Sequence, residues 1–83
     1  MRIKTLKKGQ IVFVKGKEVI LSSDITIDYE KKGYFILDLD NQCNYPNLDV
    51  LPAQYIECGS MGEIYELYKY NVVLGKVTDL CLI

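Results

Sequence analysis

Apolar and polar residues alternate most regularly between positions 25 and 39. Ile25, Ile27 and Tyr29 are interleaved with Thr26, Asp28 and Glu30, and Phe35, Leu37 and Leu39 with Tyr34, Ile36 and Asp38. A period of two puts alternate side chains on one face of a strand, so the pattern predicts strands at 25–30 and 34–39. Lys31-Lys32-Gly33 has the length of a three-residue hairpin loop with glycine in the left-handed position. Closing that loop pairs Glu30 with Tyr34 and sets Tyr29 opposite Phe35, Ile27 opposite Leu37 and Ile25 opposite Leu39. The expected core face is that apolar row, with Thr26, Asp28, Ile36 and Asp38 on a wet face. A slip of one residue would turn the apolar row outward.

Two further apolar runs, 10–14 and 17–21, are separated only by Lys15 and Gly16, which suits a two-residue hairpin. Ahead of them, residues 1–6 read as a short edge strand or as a segment lying across the base of a sheet. Lys7-Lys8-Gly9-Gln10 reads as a turn in which Gly9 is free to take positive φ. Residues 40–52 are irregular, because Asn41, Asn44, Pro46, Asn47 and Asp49 are turn formers, and Leu48, Val50 and Leu51 are expected to pin the segment over one end of the core. A short strand at 53–58 follows. Ser60 and Glu63 form a capping-box pattern, and Met61, Ile64, Tyr65 and Tyr68 fall on one stripe of a helix at about 61–69, with Asn71 as a left-handed stop. Residues 72–77 and 78–83 return to β character, the last strand docking through Leu80 and Leu82.

These elements define a mainly β (small α+β) fold. Five to six short antiparallel strands would form a small barrel of the SH3-like kind or a bent sheet, with one short helix near 61–69. A chain of 83 residues supports one core, so residues 1–83 are expected to form a single small domain without a separate linker or tail. Its 49% apolar and 25% charged content argues against disorder.

Charge is unevenly spread, although the formal net value is only -1. Residues 1–17 carry Arg2, Lys4, Lys7, Lys8, Lys15 and Lys17 with no acidic residue, whereas residues 18–66 carry acidic groups opposed only by Lys31 and Lys32. The basic stretch offers a phosphate contact, with Lys4, Lys7, Lys8, Lys15 and Lys17 as the candidate nucleic-acid-binding residues. The simpler reading is that these lysines keep a hairpin edge soluble and unpaired. The acidic remainder opposes any broad electropositive groove. Cys43, Cys58 and Cys81 are odd in number and widely spaced, and neither a secretory apolar segment nor a membrane-length apolar run occurs. A cytoplasmic protein with reduced thiols is the expectation, Cys58 and Cys81 buried as apolar filler and Cys43 exposed.

Histidine is absent, which removes the usual near-neutral base and the commonest metal ligand together. Asp38-x-Asp40-Asn41 has the start of a calcium loop, but Cys43 stands where glycine is required and Asp49 where the closing glutamate is required. Gly59-x-x-Gly62 is too short for a phosphate-cradling loop. The expectation is therefore a protein that is not an enzyme, with no cofactor, metal, membrane or small-molecule substrate indicated.

Seven tyrosines and no tryptophan supply the positive signal. So small a core cannot bury them all, and outward tyrosine is favoured at protein interfaces. Tyr34, Tyr45, Tyr55, Tyr68 and Tyr70 are the candidate protein-binding residues, while Tyr29 is assigned to the core. The sequence thus points to a small protein-binding module or a self-associating subunit. A nucleic-acid-associated accessory protein and a structural subunit completing a larger assembly are the alternatives.

Overall fold

The computed structural model describes residues 3–45, 49–57 and 60–81. Among these residues eight short strands and one short helix make a mainly β fold: β1 (Ile3–Leu6), β2 (Ile11–Val14), β3 (Lys17–Leu21), β4 (Ile25–Asp28), β5 (Gly33–Leu37), β6 (Leu51–Glu57), α1 (Met61–Leu67), β7 (Val73–Lys76) and β8 (Leu80–Cys81). Six of the strands form one sheet in the order β7-β5-β6-β3-β2-β8, and β1 and β4 form a separate two-stranded sheet.

The β2–β3 hairpin follows directly from its turn. Val14 pairs with Lys17, and Lys15 and Gly16 both take positive φ, 51° and 75°. That geometry matches the right-handed twist of the flanking strands, so this loop closes the hairpin without splaying it. Gly9 also takes positive φ as expected, and its N–H donates to the Leu21 carbonyl at 2.8 Å.

The hairpin expected at 25–39 does not form. β4 pairs with β1, Ile25 opposite Leu6 and Asp28 opposite Ile3, while β5 lies between β6 and β7. The Asp28 carboxylate accepts from the Glu30 N–H and its carbonyl from the Lys31 N–H, both at 3.0 Å, so the chain turns away directly after β4. Gly33 is not in the left-handed region but opens β5 opposite Glu57. It is glycine for a different reason: a Cβ there would fall on the Tyr55 ring.

Strand β5 is buried along its whole length, which is why alternation misread its outer face. Phe35 and Leu37 join Leu6, Val12, Val14, Val19, Leu21, Ile25 and Ile27 in the main core. On the other face Tyr34 and Ile36 pack with Ile64 of α1 in a second cluster. Alternation was therefore right about Ile25, Ile27, Phe35 and Leu37, and wrong about Ile36 and Asp38, both buried. Tyr29 and Leu39, assigned to the core, are 37% and 47% exposed.

Curling of the large sheet follows from its connectivity. β7 and β8 stand at opposite edges, yet only the 3-10 turn Val77–Asp79 separates them along the chain. So short a link can be spanned only if the sheet rolls into a half-barrel. At the seam the Asp79 carbonyl accepts from the Lys15 N–H at 3.3 Å. Gly75 lets β7 approach the interior, since a Cβ there would lie 2.5 Å from Val14 Cγ1. One pairing, β3 with β6, is parallel rather than antiparallel.

Helix α1 starts where the sequence placed it. The Glu63 N–H donates to Ser60 Oγ at 3.3 Å, the first half of a capping box. The helix ends at Leu67, earlier than expected, because Tyr68 leaves helical geometry at φ -128°. Asn71 is not left-handed; its N–H instead closes a turn onto the Tyr68 carbonyl at 2.8 Å. Leu80 packs partly against the core through the pairing of β8 with β2, and Leu82 lies outside the described residues.

Candidate functional site

Burial sorts the five candidate tyrosines. Tyr34 is only 6% exposed and belongs to the cluster under α1. Tyr55 is half-buried, its ring centroid 5.1 Å from that of Phe35. Tyr45 is half-buried beyond the 3-10 turn Gln42–Asn44. Tyr68 is half-buried against the cluster beneath α1, whereas Tyr70, two residues on, is 84% exposed. Of the five, the structure brings Tyr68 and Tyr70 together at the end of α1 and leaves only Tyr70 largely in solvent.

Other apolar side chains in this part of the chain are exposed as well. Tyr65 on α1 and Val72 before β7 are more than half exposed. The Val72 carbonyl accepts from the Leu37 N–H at 2.9 Å, which places exposed Leu39, two residues later, near the same end of β5. The Lys69 ammonium stands 5.1 Å from the Tyr70 ring centroid, a cation–π distance. Glu63 and Glu66 are exposed on α1. Exposed apolar side chains and exposed charges of both signs thus alternate along residues 63–72.

The candidate lysines do not form one surface. Lys7 and Lys8 occupy the turn beside Leu21, and Lys15 and Lys17 flank the opposite end of the same hairpin, about 13 Å away at strand rise. Lys4 lies on β1, in the other sheet. Lys7 faces Asp24 at 4.0 Å and Lys15 faces Asp79 at 3.9 Å, while the Lys8 N–H donates to Asp24 Oδ1 at 2.7 Å. These contacts give part of the basic stretch acidic neighbours.

Asp38 is the one buried charged residue among the described residues, at 2% exposure. Burial pushes its pKa up, but hydrogen bonds from the Ser22, Asn41 and Gln54 side chains and the Asn41 backbone outweigh that and leave it lowered. The carboxylate is thus held charged and anchors the start of the 40–52 segment. Among the described residues no three Cys, Asp or Glu side chains converge as a metal-ligand set. Cys81, expected in the core, is exposed because the short β8 lies at the sheet edge; Cys43 is also exposed, and Cys58 lies outside the described residues.

At the other end of β5 is a cleft of about 400 Å³, which sequence reasoning missed. Tyr29, Glu30, Lys31 and Lys32 of the β4–β5 turn form one side, and Lys76, Val77 and Thr78 the other, over Gly33 and Tyr34. Tyr34 and Lys76 are cross-strand partners, so the β5–β7 pairing itself joins the two sides. No local spacing could have disclosed a site assembled from segments so distant in sequence.

No described helix is long and apolar enough to cross a membrane. Comparison with known protein families, with curated proteins and with solved structures finds no match to this chain.

Proposed function

We propose that this protein is a non-catalytic binding module whose partner is a second copy of the same chain, joined through the patch at the end of α1. The observation that carries this reading is Tyr70, left 84% exposed, with Tyr65, Val72 and Leu39 exposed as well. Large apolar side chains clustered on so small a surface cost solvation, which a partner would relieve. Tyrosine also serves well as an interface anchor, because it buries a large ring at low entropic cost and keeps a polar end.

Self-association is favoured over a foreign partner by charge. A two-fold interface presents the same patch to itself, so its rim must be self-complementary. Glu63 and Glu66 on one copy can face Lys69 on the other, and the reverse contact follows by symmetry. The net charge of -1 opposes pairing only weakly.

Analytical ultracentrifugation of the intact chain tests the reading. A concentration-dependent dimer is expected, converted to monomer by Tyr70→Ser with Val72→Ser at unchanged circular dichroism. A monomer at high concentration, or a dimer indifferent to both substitutions, would overturn it.

A further inference from the structure

Beyond self-association, we infer that the cleft between the β4–β5 turn and the end of β7 binds a small phosphate ester carrying a planar ring. Its volume, about 400 Å³, falls in the range of small-ligand sites. Three of its lining residues are lysines, Lys31, Lys32 and Lys76, against one carboxylate, Glu30, in a chain whose net charge is negative.

The lysines have different roles. Lys31 is drawn to Glu57, 3.5 Å away, and so is partly neutralised. Lys32 and Lys76 have no carboxylate within ion-pair distance among the described residues. They come from opposite walls of the cleft, the first from the turn and the second from β7. Two lysines contributed by two walls of one cleft suit a compact multivalent anion better than a single carboxylate, because phosphate offers several acceptor oxygens at once. Asp79, the nearest acid in sequence to Lys76, is engaged elsewhere: its carboxylate accepts from the Lys76 N–H at 2.8 Å and faces the Lys15 ammonium.

Tyr29 supplies the second half of the specificity. Its ring is excluded from the core and lines the cleft, where it offers an apolar face beside the cations. Thr78 adds an exposed hydroxyl on the far wall. The floor is fixed, since Gly33 is held under the Tyr55 ring and Tyr34 is packed below α1. A phosphate between Lys32 and Lys76 with a ring against Tyr29 draws on both walls of the cleft.

The site lies at the opposite end of the β5–β7 pair from the Tyr70 patch, so its test is independent of oligomeric state. Backbone amide NMR shifts of the full chain are followed at low salt during titration with adenosine monophosphate, phenyl phosphate, inorganic phosphate and adenosine. Both esters are expected to shift residues 29–34 and 76–78 in a saturable, salt-sensitive way, and adenosine is not. Lys32→Gln and Lys76→Gln, both at exposed positions, are each expected to weaken ester binding about tenfold, the loss of one charge-assisted contact, with shifts elsewhere unchanged. Absence of saturable shifts at millimolar ester, equal binding of adenosine, or binding unaffected by both substitutions would overturn the site. Inorganic phosphate binding as tightly as the esters would overturn the role given to Tyr29.

Discussion

Asn41 holds Asp38 twice: its backbone N–H donates to one carboxylate oxygen at 3.2 Å and its side-chain amide to the other at 2.9 Å. The Asp38 N–H in turn donates to the Pro52 carbonyl at 2.9 Å. One buried acid therefore ties the exit of β5 to the start of β6 across the irregular segment between them.

Replacing Asp38 should be among the most damaging polar substitutions in this protein. Asp38→Asn sets an amide donor against the Asn41 donors at a site that is 2% exposed, and leaves hydrogen-bonding groups unsatisfied. A loss of about 2–3 kcal/mol in urea unfolding is expected. The pH dependence has a definite sign. The folded-state pKa lies below the ordinary value of 3.8, so the stabilisation is complete above that value and is lost as pH falls through the folded pKa. Unfolding curves should show this acid-limb loss in the parent protein and a shallower limb in Asp38→Asn. Equal limbs would mean that the carboxylate contributes nothing in its charged form.

The helix cap gives a smaller effect. Ser60 Oγ accepts from the Glu63 N–H in the first turn of a helix of 7 residues. Ser60→Ala should cost about 1 kcal/mol, while Ser60→Asp should retain most of the stability. Because α1 covers Tyr34 and Ile36 through Ile64, loosening it should also speed amide exchange in β5. Hydrogen exchange would detect that coupling even where the shift in midpoint is small.

What could be read from the sequence depended on the range of the interaction. The β2–β3 hairpin was legible because two residues, Lys15 and Gly16, determine both turn and register. The start of α1 was legible for the same reason, through Ser60 and Glu63. Alternation at 25–39 correctly told which of Ile25, Ile27, Phe35 and Leu37 face the core, but a period of two carries no information about the partner strand. Asp28 closes its own turn, and β4 pairs with a strand from the beginning of the chain. The parallel pairing of β3 with β6 had no local signature either, since its strands are joined through β4 and β5. Tyr70 could be nominated because tyrosines were in surplus, but burial alone distinguishes it from Tyr34.

The close approach of β7 to β2 offers a test of the curled sheet itself. A Cβ at position 75 would stand 2.5 Å from Val14 Cγ1, and Val14 is fully buried. Gly75→Ala should therefore destabilise by about 1–3 kcal/mol through overpacking. Val14→Ala should cost about 2 kcal/mol on its own by removing buried methyl groups. If β7 truly folds over β2, each substitution relieves the defect of the other: the smaller side chain at 14 makes space for the methyl at 75. The double variant should then be more stable than the sum of the two losses implies, by about 1 kcal/mol or more, because residues in contact do not behave additively. Urea midpoints for the four proteins measure that coupling. Strict additivity would place Gly75 and Val14 apart, and with them the two edges that the turn Val77–Asp79 draws together.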